Sequence, residues 1–362
     1  MRTSLALCLT VFILGSASAD GYRLETVAED LVHPWSLAFL PGGDMLVTER
    51  GGALKRLAAD GMVHLVSGVP QVYVRSQGGL FEIALDPDFE SNGLVYLTYA
   101  HGKPEANHLR LARATFTDDA LHDLQILFES VPAKDTPVHY GGRMTFLPDG
   151  TLLLTMGDGF DYREAAQRLD NHLGKTVRLH RDGRVPDDNP FVAQPGALPE
   201  IWTYGHRNPQ GLAVTAESGD VFLHEHGPRG GDELNLLEPG KNYGWPIITY
   251  GLDYSGAYVS PYTEMEGLEQ PIIHWTPSIA PAGMALYDGE AFPGWQGDLF
   301  VAALVEKSVR RLQMDGRRVI GQQVLFRELD ARMREVRVGP DGFLYLLTDA
   351  DPGRIVRVRP DP

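Results

Sequence analysis

The sequence predicts an all-β protein, a six-bladed β-propeller, on three observations. Hydrophobic residues make up 43% of the 362 positions, so the chain is able to bury a large core. One theme recurs along it: an apolar strand, a turn rich in Pro, Asp and Gly, and a second apolar strand, which is the pattern of a β-hairpin. The copies begin roughly 45 to 75 residues apart, a spacing near the size of a four-stranded propeller blade rather than of a shorter solenoid repeat.

Six copies of this theme follow one another, with no Ser/Gly linker or run of like charges to divide them. They read SLAFLPGGDMLVTER from Ser36, FEIALDPDFESNGLVYLTYA from Phe81, RMTFLPDGTLLLTMGD from Arg143, GLAVTAESGDVFLHEHG from Gly211, GMALYDGEAFPGWQGDLFVAAL from Gly283 and EVRVGPDGFLYLLTDADPGRIVRV from Glu335. The one plausible helix is short, within Asp161 to Asp170. Residues 20–362 are therefore predicted to form a single propeller domain, with its functional loops at one end of the central channel.

The first 19 residues are predicted to be a secretory signal peptide. They contain Arg2, the apolar run LALCLTVFIL and the small-residue ending ASA, with cleavage after Ala19. The alternative is an uncleaved membrane anchor, although the run is short for a membrane span. We therefore expect a periplasmic or secreted protein with no membrane span in the mature chain.

Composition excludes several classes of function. The only cysteine, Cys8, lies in the predicted leader, so the mature chain has no disulfide, thiolate metal site or cysteine nucleophile. The net charge is −16, and −17 without Arg2, which makes nucleic acid and anionic membranes poor partners. No P-loop, strand-linked GxGxxG, GxSxG or HExxH occurs. The abundant carboxylates suit calcium, a cation that prefers oxygen ligands.

The third copy carries a histidine before its first strand and an aspartate after its second. His139 and Asp158 lie at these two ends, and the turn LPDG between the strands brings the ends to the same edge of a blade. An imidazole held by a carboxylate has the geometry of a general base. The alternative is a loop histidine that caps a backbone group.

Two other loops present positively charged side chains. In YGHRNPQG, Arg207 and Asn208 place a guanidinium beside an amide, which suits an anionic or carbonyl-rich ligand. In ARMREV, Arg332 and Arg334 alternate on a strand, so they share one face and need an anion between them. The alternatives are loop stabilisation in the first case and surface arginines with separate acidic partners in the second.

The segment HEHGPRGGDELNLLEPGKNYGWP favours a hard cation over zinc. Alternate strand residues point to opposite faces, so the two histidines of HEH and Glu225 do not converge easily on one metal ion. Asp232 and Glu233 offer carboxylates, and the Gly- and Pro-rich backbone offers carbonyl oxygens. Solvated loop acids are the alternative.

In order and together, these motifs resemble the soluble glucose/sorbosone dehydrogenase family, especially bacterial aldose sugar dehydrogenases that depend on pyrroloquinoline quinone (PQQ). The similarity runs from HPWSLAFLPGGDMLVTERGG to VGPDGFLYLLTD, through SQGGLFEIALDPDF and LGKTVRLHRDGRVPDDNPF. The family has a six-bladed propeller fold, in agreement with the repeats.

The resemblance implies catalytic residues, quinone contacts and calcium ligands. The histidine of H-x-x-G-R is His139, oriented by Asp158 and assisted by Arg207. The implied quinone contacts are Gln77, His139, Arg207, Asn208, Tyr254, Arg332 and Arg334. The implied calcium ligands are the carbonyls of Gly227 and Pro228 for the cofactor's ion, and Glu233 and Tyr243 for a structural ion. A lysine that the family often places against the quinone is replaced by Val305, and Lys307 substitutes for it only if the loop shifts by two residues.

The function implied is oxidation of an aldose at its anomeric carbon to a lactone. His139 would remove the hydroxyl proton while hydride passes to the calcium-bound quinone, Arg207 would stabilise the oxygen anion, and electrons would leave to an external acceptor. The expected assembly is a monomer or homodimer. Two alternatives remain: a calcium-dependent sugar lactonase, which needs side-chain carboxylates in the central channel, and a non-catalytic ligand-binding propeller.

Overall fold

The structure, a computed structural model, describes residues 21–361, which form six antiparallel four-stranded sheets. The predicted signal peptide lies outside the described residues. Blade 1 contains β2 Pro34–Phe39, β3 Met45–Glu49, β4 Leu54–Leu57 and β5 Val63–Leu65. Blade 2 contains β6 Leu80–Leu85, β7 Leu94–Lys103, β8 Ala106–Thr117 and β9 Ala120–Glu129. Blade 3 contains β10 Met144–Phe146, β11 Thr151–Met156, β12 Lys175–His180 and β13 Ile201–Tyr204.

The other three blades complete the ring. Blade 4 contains β14 Pro209–Val214, β15 Val221–Glu225, β16 Asp232–Leu237 and β17 Ile273–Trp275. Blade 5 contains β18 Pro281–Leu286, β19 Leu299–Ala303, β20 Ser308–Asp315 and β21 Arg318–Leu325. Blade 6 contains β22 Met333–Val338, β23 Leu344–Thr348, β24 Gly353–Pro360 and β1 Tyr22–Leu31. Blade 6 thus takes its outer strand from the start of the described chain. The six predicted hairpins are the first two strands of the six blades, which confirms the predicted fold.

The second strand of each blade is buried because it lies between two neighbouring blades. In β11, Leu152 and Leu154 belong to the apolar cluster between blades 2 and 3, whereas Leu153 packs between blades 3 and 4. In β19, Phe300 and Val301 likewise face opposite neighbours. This is the period-two pattern of a strand that is apolar on both faces. The core is therefore divided into layers between the blades.

Helical structure is limited to short segments. The helix predicted within residues 161–170 is a 3₁₀-helix at Arg163–Gln167. The sequence reading missed α1 at Phe89–Asn92 and two further 3₁₀ turns, Pro293–Trp295 and Arg327–Leu329. Within residues 21–361, no helix is long and apolar enough to cross a bilayer.

Arg143 closes the central channel beneath the loops. Its side chain is 3% exposed, and it ion-pairs with Glu82 at 3.1 Å and with Glu335. It also donates to the carbonyl oxygen of Gln210 at 2.8 Å and lies 3.9 Å from the ring centroid of Trp35. Contacts from one guanidinium thus reach blades 1, 2, 4 and 6 from the start of blade 3.

Candidate active site

A cavity of about 200 Å³ opens on the channel axis above Arg143. Its wall is formed where the first strand of each blade begins and the second strand ends, the edge at which the sequence analysis expected ligand-binding loops. The polar side chains of its lining include Arg50, Gln77, Asn208, Arg332, Arg334 and Asp349. An adjoining cavity is lined by Phe160, Arg207, Trp245 and Tyr254.

His139 and Asp158 meet as the hairpin predicted. The imidazole Nδ1 lies 2.7 Å from Oδ1 of the carboxylate, and both residues are buried. Among residues 21–361, Nε2 of His139 has no hydrogen-bond partner, so it is the nitrogen left to accept a proton. The ring packs edge-on against Phe160, at 5.2 Å between centroids. His139 and Asp158 line neither cavity themselves, but His139 contacts one residue of each wall, Gln77 of the central cavity and Phe160 of the adjoining one.

Two glycines let the histidine loop approach its neighbours. Gly141 and Gly142 have φ angles of 67° and 88°. A Cβ atom on Gly141 would lie 2.6 Å from the carbonyl oxygen of Thr155, and one on Gly142 would lie 2.9 Å from the ring of Phe81. Both positions need glycine because its backbone adopts positive φ readily and leaves space for these contacts. This explains the double glycine of HYGGR.

Trp245 also holds Asp158, and the sequence analysis missed this role. Its indole Nε1 donates to Oδ2 at 2.7 Å, while the backbone N–H of Phe160 donates to Oδ1 at 2.8 Å. Both carboxylate oxygens are thus occupied, which fixes the orientation of the imidazole. Trp245 lies in NYGWP, 87 positions from Asp158, so no local pattern could pair them.

The environment favours neutral imidazole beside ionised carboxylate. Burial lowers the pKa of His139, and the positive charges of Arg207 and Lys134 lower it further, against the opposing effect of Asp158. Burial would raise the pKa of Asp158, but the hydrogen bond from His139 and the nearby charges outweigh it and lower this pKa. A neutral imidazole is ready to act as a base.

Arg207 is fixed in the wall of the adjoining cavity, next to Asn208 in the wall of the central one. Its Nη1 donates to the carbonyl oxygen of Gly227 at 2.6 Å, and its Nη2 donates to the Tyr254 hydroxyl at 3.4 Å. Its backbone N–H donates to Glu225 at 2.5 Å. The Tyr254 ring is 59% exposed and stacks on Phe160. The structure therefore brings Tyr254 next to Arg207 at an open entrance.

Two side-chain amides turn their NH₂ groups to the central cavity. The side-chain oxygen of Gln77 accepts from the His139 backbone N–H at 2.8 Å, and that of Asn208 accepts from the Gly141 backbone N–H at 3.3 Å. Among the described residues, neither NH₂ group has a hydrogen-bond partner. Both predicted residues therefore offer donors to a ligand.

Arg332 and Arg334 share one anion, as their spacing predicted. In the structure that anion is the carboxylate of one residue of the protein itself, Asp349. Asp349 lies 2.8 Å from Nη2 of Arg334 and 3.6 Å from Nε of Arg332, and it also contacts His33 at 3.0 Å. The alternative of surface arginines with separate acidic partners is not supported, because both contact Asp349 and Arg334 is only 8% exposed. Its buried Nε has no partner among the described residues, which leaves a donor for a ligand.

Arg50 is a third guanidinium in this cavity, and the sequence analysis missed it. It directly follows β3, at a strand end equivalent to that of Asp158 after β11. By contrast, Lys307 is directed to an exposed ion pair with Asp330 at 2.8 Å, and Val305 is 62% exposed. The suggested substitution by Lys307 is therefore not supported in this loop conformation.

The residues of HEHG do not form a side-chain metal site. Burial lowers the pKa of His226 to about 3, and its Nε2 contacts the carbonyl oxygen of Pro281 at 2.5 Å. Asp232, expected as a cation ligand, is occupied by four donors, including the backbone N–H groups of Gly227 and Ile279. That expectation was wrong, because Asp232 fixes the loop. Gly227 instead presents its carbonyl oxygen to a cation, the Arg207 guanidinium.

Glu233 faces a second carboxylate. It pairs in register with Glu225 on the adjacent strand, and burial together with that negative charge raises its pKa well above the usual value. The side-chain oxygen of Asn235 is buried nearby without a partner among the described residues. Tyr243 stacks on His206, but its phenol is bonded to backbone groups, so only its backbone oxygen is left as a ligand. Within residues 21–361, no three His, Cys, Asp or Glu side chains form a group able to hold a metal ion.

Comparison with known proteins agrees with this geometry. The family model for Glucose / Sorbosone dehydrogenase matches residues 31–357. Aldose sugar dehydrogenase YliI of Escherichia coli K12 is 42% identical over 346 residues, which cover 93% of this chain and 93% of that protein.

Solved structures have the same fold. The apo-form of soluble aldose sugar dehydrogenase from Escherichia coli gives a TM-score of 0.91 at 40% identity, covering 94% of this chain and 100% of that chain. The PQQ-bound form of aldose sugar dehydrogenase from Streptomyces coelicolor gives 0.77 at 30% identity, covering 95% and 100%. These findings confirm the resemblance and the prediction of a sugar dehydrogenase. The chain belongs to the glucose/sorbosone dehydrogenase family.

Proposed function

We propose that the protein oxidises aldoses at the anomeric carbon to lactones, using PQQ and calcium, and passes the electrons to an external acceptor. The observation that carries this proposal is the buried His139–Asp158 pair beside a cavity rich in hydrogen-bond donors. The predicted leader further supports a periplasmic or secreted location.

The cavity residues suit PQQ, which carries several carboxylates and carbonyl oxygens. Three guanidiniums and one carboxylate give a local charge of +2 (three minus one) within a strongly acidic chain. The NH₂ groups of Gln77 and Asn208 and the unpaired Nε of Arg334 add neutral and charged donors. Arg50, Arg332 and Arg334 would hold the carboxylates, with Arg50 supplying the positive charge that Val305 lacks.

Calcium fits two places by the chemistry of their oxygens. The carbonyl oxygen of Gly227 already faces a positive charge, the Arg207 guanidinium, and Pro228 lines the same cavity as Arg207. Glu233 and the unpaired oxygen of Asn235 offer ligands, while Glu225, whose oxygens already contact His206 and the Arg207 N–H, adds a negative charge whose repulsion a bound cation would relieve. We assign the first place to the cofactor's ion and the second to a structural ion that also uses the Tyr243 backbone oxygen.

His139 would act as the general base. A sugar whose anomeric hydroxyl reaches Nε2 gives its proton to the neutral imidazole, and Asp158 stabilises the imidazolium through Nδ1. Arg207, fixed by Gly227 and Tyr254, would stabilise negative charge on the substrate oxygen. When bound, PQQ supplies the two-electron acceptor, which no side chain here provides.

The lactonase alternative is weaker. It needs carboxylates free to bind calcium in the central cavity, but the cavity carboxylate Asp349 is already paired with two arginines and His33. Burial would raise the pKa of Asp349, yet Arg334 and its other partners hold that pKa below the usual range. The oxygens of Asp349 are therefore occupied by the arginine pair and are not free to bind calcium.

Dye reduction by the purified protein tests the proposal. An aldose panel should reduce the dye only when PQQ and calcium are both supplied, and lactone should form in step with reduced dye. Lactone hydrolysis without PQQ, or failure to bind PQQ at any calcium concentration, would favour one of the two alternatives.

A further inference from the structure

Lys134 is buried close to the His139–Asp158 pair, and the proposed chemistry leaves it without a role. Lys134 lies in the loop between β9 and β10 and is only 4% exposed to solvent. Its backbone N–H and carbonyl both pair with Asn107 in β8, each at 2.8 Å. Lysine is rarely buried to this extent without a specific set of partners.

The Lys134 ammonium group organises the loop that carries His139. Its Nζ donates to the carbonyl oxygens of Thr136 at 2.5 Å and Val138 at 2.8 Å, and lies 3.3 Å from the side-chain oxygen of Asn107. It also lies 3.6 Å from the ring centroid of Tyr140. The group thus contacts the residues immediately before and after His139.

The same side chain lies against the aspartate loop. A Cβ atom on Gly159, the residue after Asp158, would be 2.8 Å from Cδ of Lys134. The Thr136 hydroxyl donates to the Gly159 carbonyl oxygen at 2.6 Å and ties the two loops together. Lys134 therefore connects the segments that hold the two members of the pair.

We propose that Lys134 is a positioning residue for the base: its buried side chain fixes the loop that carries His139, and it places a positive charge beside the segment that holds the imidazole. This inference rests on the proposed role of His139. Several titratable or charged groups interact electrostatically with Lys134 or His139. They are Asp135, Asp158, Arg207 and His226.

The titration of Lys134 gives the proposal a pH signature. Burial lowers its pKa to about 7, although Asp158 and Asp135 oppose the change. Below that pH the ammonium is charged and lowers the pKa of His139; above it the charge is lost. In Lys134→Met the imidazole should protonate at higher pH than in the wild type. The two proteins should then differ most on the acidic side and converge above neutral pH.

Two readouts test this prediction. The first is the pH profile of kcat/KM for protein loaded with PQQ and calcium, where Lys134→Met should fall on the order of tenfold below the wild type on the acidic side. The second is an NMR titration of ¹³C-histidine-labelled protein without cofactor or metal, with the His139 signal assigned from His139→Gln. Lys134→Arg, which keeps the charge, should restore the wild-type titration.

Lys175 is the matched control. It is also fully buried, its Nζ donates to the carbonyl oxygens of Ala165, Ala166 and Leu173, and burial lowers its pKa to about 7. It has no contact with the loop that carries His139. Lys175→Met should lower thermal stability to a similar extent without moving the His139 titration.

The outcomes are separable. A His139 titration unchanged in folded Lys134→Met would overturn the proposal, as would an equal shift in Lys175→Met. If Lys134→Met does not fold, Lys134→Gln removes the charge with a polar side chain and decides the same point. If the protein oxidises no sugar, the proposed function fails, while the NMR titration still decides whether Lys134 controls the imidazole.

Discussion

At the scale of single residues, the site depends on how completely Asp158 is bound. Its carboxylate accepts from the His139 imidazole, the Phe160 backbone and the Trp245 indole at 2.7 to 2.8 Å. A carboxylate held by three donors cannot rotate, so it selects one orientation and one tautomer of the imidazole. Asp158, Phe160 and Trp245 thus set the direction of Nε2.

Trp245→Phe tests this positioning. It keeps an aromatic ring but removes a hydrogen bond to a charged group, which contributes about 1.5–3 kcal/mol. We expect kcat to fall on the order of tenfold with little change in PQQ affinity. Steady-state kinetics and a PQQ titration measure the two quantities.

Trp275→Phe is the matched control, because its buried indole donates to Gln322 at 2.9 Å in the outer part of blade 4. It should lose a similar amount of stability with kcat unchanged. Equal losses of kcat in the two variants would mean that the indole of Trp245 has no positioning role.

Arg50→Gln tests the third guanidinium of the central cavity. Loss of a charge-assisted contact should weaken PQQ binding by about tenfold or more. Fluorescence quenching of the cofactor-free protein by added PQQ measures the dissociation constant. Lys307→Gln, which removes a charge from the exposed pair with Asp330, should bind PQQ as the wild type does. If PQQ binds more weakly to Lys307→Gln than to Arg50→Gln, Lys307 rather than Arg50 contacts the quinone.

At the scale of elements, the hairpin explains which site residues the sequence could predict. Its turn joins strands whose far ends must meet, so His139 and Asp158 were predictable from one segment. The same rule, applied to β3, would have found Arg50. Trp245 and Asn235 were not predictable, because their partners depend on the path of long loops and on packing between strands.

The strand pair β15–β16 carries the calcium prediction. The pKa of Glu233 is raised in the folded protein by burial and by Glu225. An acid with a raised pKa binds its proton more tightly when folded, so the metal-free protein should lose stability as pH rises from the unfolded pKa through the folded one. Calcium should reverse this loss, and the increase in Tm should grow with pH.

Scanning calorimetry across pH, with calcium or with a chelator, measures the effect. Glu233→Gln removes one of the two opposing charges, so the metal-free Tm should depend less on pH and calcium should raise it little. A calcium-dependent increase in Tm of wild-type size in this variant would place the structural ion elsewhere.

At the scale of the whole molecule, ring closure was beyond the sequence analysis. β1 pairs with β24, so Tyr22 lies opposite Pro360, and no local pattern links two ends of the described chain. The repeats predicted six blades but not which strand completes the sixth. The buried network around Arg143 was equally hidden, because it joins residues from several blades that lie far apart in sequence.

Arg143→Met tests the network on the axis. Without the guanidinium, Glu82 and Glu335 share a buried site with Arg337 as their remaining cation. Removing one partner from a buried ionic group costs about 3–5 kcal/mol. Chemical denaturation should show a loss of this size, and Arg143→Met with Glu335→Gln should recover part of it. A loss below about 1 kcal/mol, small for a buried site, would mean that the blades hold together without the network.

The most direct test of the account is the rate at which an aldose reduces the bound quinone, followed by absorbance in a stopped-flow instrument without external acceptor. Protein loaded with PQQ and calcium is compared with His139→Gln loaded to the same extent. We predict equal PQQ affinity and a rate at least about 10²-fold lower in the variant, because general-base catalysis contributes about 10²- to 10⁴-fold. Equal rates in the two proteins would contradict the assignment of His139 as the base.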